Sequence, residues 1–524
     1  MDTIFSIIFI LISSAFYTAI SLKFLHVFQL SSYRINGVVN WLKFTHFEHI
    51  LRFVAYAFFS TGLTIVTILA FPFEFIKYLS YVFFFGFGIL FLILSYRKKV
   101  KTPLIITSRM KRLIITNAFV SLGFAFGAWG LSLTPVSVAG YSIVIALVPL
   151  SCLISFGIMY YPEKLIARSY IIDATDEIEK LKIDGLKVVG ITGSYGKTTA
   201  KNILFAMLST KYRVCASPAS YNTPLGICRT VNDHLESGDE ILIVEMGARY
   251  KRDIAELCEI AKPDFGIITG VGNQHLETFG SEEDIANTKF ELSEYITDGL
   301  VAFNCSDNGA KALADRRANN KIIINDRDGD ITYSDVKYNK NGCSFTLSYK
   351  DETVNVKTSL LGDYVPALIS TCAGIAVHLD VPLCACARAV EYFKPVPHRQ
   401  ELIVSGNKTI IDDAYNANTV GARSALATLS LFEGTKIIVT PGLVELGDYE
   451  ATANEEFGAH IAKVCDYAIF VGLRGKFMTK GAINAGMDAT RIIGVKSLSE
   501  AQKWLENYTD EATVLFENDL PDNY

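Results

Sequence analysis

Lys197, Thr198 and Thr199 stand directly behind a glycine turn, Thr192-Gly193-Ser194-Tyr195-Gly196. An apolar run at 188–191 leads into the turn, and a helical pattern at 200–208 follows it. This order of strand, glycine-rich turn, Lys-Thr and helix builds a phosphate loop. Backbone N–H groups near Gly193, Ser194 and Gly196 can close on phosphate oxygens, and the N-terminus of the following helix favours an anion. Lys197 would neutralise the β- and γ-phosphates, and the Thr198 hydroxyl would bind Mg²⁺. Gly193, Ser194, Gly196, Lys197, Thr198 and Thr199 are thus the candidate ATP contacts.

Three further positions could carry chemistry. The apolar run 241–244 ends in Glu245-Met246-Gly247-Ala248. A carboxylate at the C-terminal end of a strand, beside a phosphate loop, is where a Mg²⁺ ligand belongs. His275, in Asn273-Gln274-His275-Leu276, also follows an apolar run and reads either as a metal ligand or as a hydrogen-bonded loop histidine. Lys289 lies in a helical stretch and, taken alone, reads as a solvated helix charge.

The elements that must position these residues follow from the apolar pattern. Strand-like runs at 186–191, 241–245, 265–269 and 299–303 alternate with helical patterns at 199–209, 251–261 and 282–297. Such alternation predicts a parallel sheet with crossover helices. Residues 321–358 alternate as antiparallel strands do and extend that sheet. Helical patterns return at 366–379 and 382–393, and Lys394-Pro395-Val396-Pro397 reads as a linker. Runs at 408–412, 435–440, 467–471, 491–495 and 513–516 then predict a second, smaller doubly wound domain.

The 524 residues exceed one ordinary domain. A formal net charge of −5 gives no reason to expect a nucleic-acid partner. The ten cysteines are scattered with no CxxC pair; Cys384 and Cys386 read as packing residues, and the usage fits a reducing compartment. The mean hydropathy is positive, and the excess lies at the front. Five apolar stretches, 4–22, 53–71, 78–96, 113–131 and 138–160, each approach the ~20 residues that cross a bilayer. The connections 23–52 and 97–112 are rich in Lys and Arg, whereas 72–77 and 132–137 are poor. This alternation predicts an outside N-terminus and a cytoplasmic chain after Glu163. The expected organisation is a transmembrane domain of about five helices (1–162), an α/β ATP-binding P-loop domain (163–394) and a smaller doubly wound α/β domain (395–524). The expected location is the cytoplasmic membrane, multi-pass.

The phosphate loop, Tyr221-Asn222-Thr223-Pro224-Leu225-Gly226, Glu245-Met246-Gly247-Ala248, Asn273-Gln274-His275-Leu276 and Lys289-Phe290-Glu291 recur in an order that resembles the Mur ligase family. Asn304 with Asp307, Pro397-His398-Arg399, and Asp412-Asp413-Ala414-Tyr415-Asn416-Ala417-Asn418 continue the match. The type most nearly resembled adds D-alanyl-D-alanine to UDP-N-acetylmuramoyl-tripeptide. The resemblance implies two Mg²⁺ ions, with Thr198, Glu245, His275 and Lys289 as metal-site residues and Lys289 carbamylated. It implies catalytic roles for Lys197, Lys289, His275 and Arg399. Asn304, Asp307, Arg399, Asp413, Tyr415 and Asn416 are the implied nucleotide contacts, and Asn222, Thr223 and Asn418 the implied substrate contacts. The implied reaction joins a carboxylate to an amine through an acyl phosphate, forming ADP and phosphate.

Three features depart from the family pattern. Apolar stretches stand where the family carries its UDP-sugar-binding domain. Gly362-Asp363-Tyr364-Val365 replaces Gly-x-His-Asn. Phe516-Glu517-Asn518-Asp519 stands where this type carries Lys-Gly-Ser-Arg, and reads either as an element suited to an amine-bearing substrate or as an exposed acidic tail. The ATP chemistry is left intact and both substrates are left open. The reading favoured by the sequence is a membrane-anchored ligase acting on a cell-envelope precursor, such as a lipid-linked carboxylate, with an amine donor. The alternative is the D-alanyl-D-alanine-adding enzyme acting on its UDP-linked substrate. A transporter motor would need an LSGGQ-like signature, which the sequence lacks. A non-catalytic nucleotide sensor would not need Lys197, Glu245, His275 and Lys289 together.

Overall fold

The structure is a computed structural model that describes residues 2–31, 33–44, 48–70, 86, 89, 93, 103–131, 137–325, 328–415 and 418–518. The chain divides into two compact units, residues 1–168 and 169–520.

The first unit is helical: Asp2–Leu30, Ile35–Phe44, Glu48–Ala70, Ser108–Leu131, Ser137–Ala146 and the start of Val148–Ile183. Apolar side chains such as Phe28, Leu25, Ile145 and Met110 fill its interior. A polar knot is buried among them. Ser21 donates to Asn117, and Asn117 in turn donates to Ser151 and Ser155, at 3.3 and 3.2 Å. Among the described residues two helices, Ser6–Leu30 and Ser108–Gly130, are long and apolar enough to cross a membrane by length and composition. Nearly all of the expected span 78–96, the turn 72–77 and all but residue 137 of the turn 132–137 lie outside the described residues. Two expectations need correction. The connection 23–52 is mostly helix, because nothing between Lys23 and Leu30 breaks the first helix, and 35–44 forms a second one. The expected span 138–160 is two helices parted at Leu147, and the later one continues through Pro162 to Ile183.

The second unit holds two sheets. The larger contains β1 (Lys187–Thr192), β2 (Val214–Ala216), β3 (Ile241–Glu245), β4 (Phe265–Ile268), β5 (Val301–Asn304), β6 (Lys321–Asn325), β7 (Ile331–Asn339), β8 (Gly342–Tyr349) and β9 (Glu352–Thr358). Their order is β2-β3-β1-β4-β5-β6-β7-β8-β9. The first six are parallel, and β7, β8 and β9 form an antiparallel meander. Strand order reverses at β1, and the crevice beyond such a reversal is where α/β sheets bind ligands. Alternate residues of β1 and β3 serve opposite faces. Val189, Ile191, Ile241 and Ile243 pack under the helices Lys197–Leu208 and Val365–His378. Val188, Leu242 and Val244 pack under Asp253–Ala261 and Glu282–Tyr295.

The smaller sheet contains β10 (Glu401–Ser405), β11 (Lys408–Asp413), β12 (Thr435–Thr440), β13 (Tyr467–Val471), β14 (Ile492–Val495) and β15 (Ala512–Glu517), in the order β10-β11-β15-β12-β13-β14. All but β10 run parallel. β10 is absent from the expected strands. It pairs with β11 across the two-residue turn Gly406-Asn407, with Gly406 at φ 60°. Behind β12, buried Asn454 ties down the loop that carries Glu445. Its Oδ1 accepts from the Leu443 N–H at 2.8 Å, and its Nδ2 donates to the Leu443 and Glu450 carbonyls at 2.9 and 2.8 Å.

Asn454→Ala strips three bonds from backbone groups, two of them at buried Leu443. It is expected to lower unfolding stability by about 1–3 kcal/mol, read as an earlier thermal midpoint.

Candidate active site

The phosphate loop is bent by two glycines in the left-handed region, Gly193 at φ 151° and Gly196 at φ 75°. A Cβ at Gly193 would lie 2.1 Å from Thr269 Oγ1 and 3.0 Å from the Gly270 carbonyl. Only glycine lets β1 turn that close to the loop after β4. Lys197 opens the following helix and curls back over the turn, donating to the Gly193 carbonyl at 2.7 Å. Burial depresses its pKa to about 8 even though Glu245 nearby acts in the opposite sense.

Glu245, the last residue of β3, is 2% exposed. Its Oε2 accepts from Thr198 Oγ1 at 3.0 Å, and its Oε1 accepts from Asn222 Nδ2, also at 3.0 Å. Lys201, likewise 2% exposed, puts its ammonium 3.4 Å from Glu245 Oε2. That ammonium also donates to the Ser217 carbonyl at 2.7 Å and to the Ala219 carbonyl. Sequence reasoning missed Lys201. The available signal was its place four residues after Lys197, on the same helix face.

Lys289 is placed by the helix Glu282–Tyr295. Ser281 caps that helix by accepting from the Asp284 N–H at 3.1 Å, and three acidic residues fill its first turn. The reading of Lys289 as a solvated charge is corrected here. The residue is 3% exposed, with its ammonium 5.9 Å from the centre of the Phe279 ring. Burial first, and then the charge of Lys197, push its pKa down to about 7.

His275 sits in the left-handed region at φ 56°. Its Nδ1 bonds the carboxylate of Glu445, which reaches over from the loop after β12. Burial holds the imidazole below its ordinary pKa. For Glu445, burial acts upward, but the His275 bond and nearby Arg249 outweigh it and hold the carboxyl below the usual range. An ionised Glu445 accepts the bond, so Nδ1 carries the proton and Nε2 is the nitrogen offered to a metal. Glu445 was also missed, although a loop at the end of a parallel strand is where such a residue belongs.

The expected nucleotide contacts separate into two groups. Asn304, at the end of β5, donates to the Thr269 carbonyl at 2.9 Å, and its buried Oδ1 has no partner among the described residues. Asp307 accepts from Tyr195, from the Val271 N–H at 2.9 Å and from the Ala310 N–H at 2.8 Å. Both therefore frame the phosphate loop. Arg399, Asp413 and Tyr415 come from the smaller sheet and its loops. The Arg399 guanidinium lies 4.3 Å from the centre of the Tyr415 ring, and the Tyr415 hydroxyl bonds Ser220. Asn416 lies outside the described residues. Of the expected substrate residues, Asn222 faces Glu245. Thr223 and Asn418 are helix caps, with their side-chain oxygens engaged by the Gly226 N–H at 3.3 Å and by the Val420 and Gly421 N–H groups at 3.0 and 2.8 Å. Thr198 and Glu245 touch, whereas His275 is held by Glu445. No cluster of three or more His, Cys, Asp or Glu that could hold a metal exists among the described residues.

A phosphate loop at a switch point, a strand-end carboxylate bonded to it, and a second α/β domain reaching across with Arg399 and Glu445 define a nucleotide-dependent α/β protein of two catalytic-type domains. The chain belongs to the Mur ligase family: the Mur ligase middle domain matches residues 191–373 and the Mur ligase, glutamate ligase domain matches residues 398–517. It is 36% identical over 262 residues to the UDP-N-acetylmuramoyl-tripeptide–D-alanyl-D-alanine ligase of Mycobacterium tuberculosis, covering 49% of this chain and 51% of that protein. It is 30% identical over 303 residues to the ligase of the same name from Bacillus subtilis, covering 57% and 65%. The chain thus spans about half the length of the mycobacterial relative. Among solved structures it is similar to a MurF ligase from Thermotoga maritima in complex with ADP, at 26% identity and TM-score 0.60, over 67% of this chain and 80% of that one. The fold also matches a MurF from Acinetobacter baumannii at TM-score 0.62 and 22% identity, over 67% and 77%.

A lysine depressed to about 7 binds fewer protons folded than unfolded between that pH and its ordinary 10.5. Its contribution therefore makes stability rise with pH across that window. Lys289→Met is expected to flatten this rise, leaving the like-signed share of Lys197, and to be more stable than the parent at pH 7 while losing turnover. Thermal midpoints at several pH values in bicarbonate-free buffer check it.

Proposed function

We propose that this chain is an ATP-dependent carboxylate–amine ligase that adds D-alanyl-D-alanine to UDP-N-acetylmuramoyl-tripeptide through an acyl phosphate. The observation that carries the proposal is Glu245, bonded on one side to Thr198 of the phosphate loop and on the other to Asn222. One buried carboxylate thus joins the side that would hold ATP to the side that would hold the acceptor. Gly193 keeps the cradle open for phosphate oxygens, and the unpartnered Asn304 Oδ1 offers an acceptor for a nucleotide N–H donor.

In the reaction an oxygen of the acceptor carboxylate attacks the γ-phosphorus and ADP leaves. The amine nitrogen then attacks the acyl carbon, loses a proton, and phosphate leaves. Attacking and attacked groups are both anionic, so charge screening is the main task. Magnesium, when bound, supplies it; Thr198 and Glu245 would hold one ion, with His275 and Lys289 serving a second. Lys197 adds its charge at the phosphates. Burial leaves the Lys289 amine substantially neutral near pH 7, the form that takes up CO₂ and becomes an anionic oxygen ligand. Arg399 and Tyr415 close the phosphate side from the smaller domain and help exclude water from the acyl phosphate.

The UDP-linked acceptor is preferred to a lipid-linked one because the relatives at 30–36% identity carry that activity in their names. The helices Ser6–Leu30 and Ser108–Gly130 support attachment to a membrane by their length and composition.

The test is phosphate release from ATP and Mg²⁺ by the detergent-purified full chain. Several-fold stimulation by UDP-N-acetylmuramoyl-tripeptide with D-alanyl-D-alanine is expected. Stimulation only by a lipid-linked envelope extract with an amine pool would overturn the acceptor assignment.

A further inference from the structure

Glu517 is the last residue of β15, at the centre of the smaller sheet, and it is 1% exposed. An exposed acidic tail is therefore not what this position forms. Its Oε2 has no hydrogen-bond partner among the described residues. A buried carboxylate oxygen without a partner is costly unless a cation meets the group or the group takes up a proton. Glu517 is in register with Asp413, the last residue of β11, on the neighbouring parallel strand. Register partners on parallel strands project to the same side of the sheet, about 4.8 Å apart, so the two carboxyls stand together.

Their surroundings are electronegative. Burial pushes Glu517 well up, and the charge of Asp413 adds to that; Arg399 alone opposes it. Burial likewise brings Asp413 up to about 6 against the pull of Arg399 and of hydrogen bonds from Gln400. The buried phenol of Tyr364 feels Asp413, Arg399, Asp363 and Glu517 together. Two of the positions that depart from the family pattern, Tyr364 and Glu517, therefore share one pocket of charge. The charge of Arg399 also reaches Lys197 of the phosphate loop. Two strand-end carboxyls thus stand against one guanidinium, and a further cation arriving there would displace the proton that burial favours on Glu517.

The geometry points to Glu517, with Asp413 beside it, as the docking site for the ammonium group of the amine-bearing substrate. This inference rests on the ligase reading and specifies how the second substrate is recognised. The carboxyl pair binds the amine as its ammonium ion at the C-terminal edge of the smaller sheet, the side on which Arg399 approaches Lys197. A hydrogen bond to a charged group at such a site is worth about 1.5–3 kcal/mol, which corresponds to about ten- to hundredfold in affinity.

The test uses the full chain loaded with ADP and Mg²⁺ and the isosteric variant Glu517→Gln. Ethylammonium serves as a bare ammonium probe, read by saturation-transfer NMR, and D-alanyl-D-alanine as a candidate substrate, read by calorimetry. The variant is expected to lose the ethylammonium signal and to bind the dipeptide ten- to hundredfold more weakly, while its KM for ATP and its thermal midpoint stay close to the parent's. N-acetyl-D-alanyl-D-alanine, which lacks the ammonium, should bind both proteins equally weakly. Equal ethylammonium binding by parent and variant would overturn the inference. So would the loss of a Mn²⁺ site in the variant, which would make the pocket a metal site. If ethylammonium binding depends on Glu517 but the dipeptide never binds the parent, the ammonium site stands and the dipeptide assignment falls.

Discussion

Glu245 is a carboxylate removed from water at the end of a central strand, and the active-site side of the larger domain is arranged around that fact. A buried carboxylate must be met by donors or cations. Thr198, Asn222 and Lys201 meet it from three directions, one from the phosphate loop, one from the loop before the helix Pro224–His234, and one from deeper in the helix Lys197–Leu208. Because Lys201 also binds the Ser217 and Ala219 carbonyls, the loop bearing Asn222 is tied to the helix that carries Lys197 and Thr198. Position of the phosphate loop and position of the loop bearing Asn222 are thereby one constraint.

The same pressure acts across the two α/β domains of the second unit. His275 from the larger domain is completed by Glu445 of the smaller, and Ser220 by Tyr415. These contacts lie beside the phosphate loop and away from the hydrophobic cores. Lys289, by contrast, has burial without a carboxylate contact, and the result is an amine held near neutrality.

Much of this arrangement was legible in the chain. The run 241–245 could be read as β3 with Glu245 at its end because a buried parallel strand is uninterrupted apolar sequence and its terminus is abrupt. Gly193 and Lys197 were readable because backbone geometry demands those residue types in that order. Lys201 and Glu445 were not, since a lysine in a helix and a glutamate in a loop acquire meaning only from what folds against them. β10 was not expected because its apolar run, Leu402-Ile403-Val404, is only three residues long on an edge strand, although Gly406-Asn407 is a turn pair that favours a hairpin. The helical front was readable as apolar but not in its breaks. The parting at Leu147 falls just before Pro149, in the first turn of the next helix, and neither this signal nor the continuation through Pro162 is carried by hydropathy.

The central claim is that a substrate carboxylate attacks the γ-phosphate. The most direct measurement supplies UDP-N-acetylmuramoyl-tripeptide labelled with ¹⁸O in its terminal carboxyl, together with D-alanyl-D-alanine and ATP, and analyses the phosphate by mass spectrometry. The account predicts one ¹⁸O atom in each phosphate released with product. Phosphate carrying only solvent or ATP oxygen, while amide product accumulates, would contradict it.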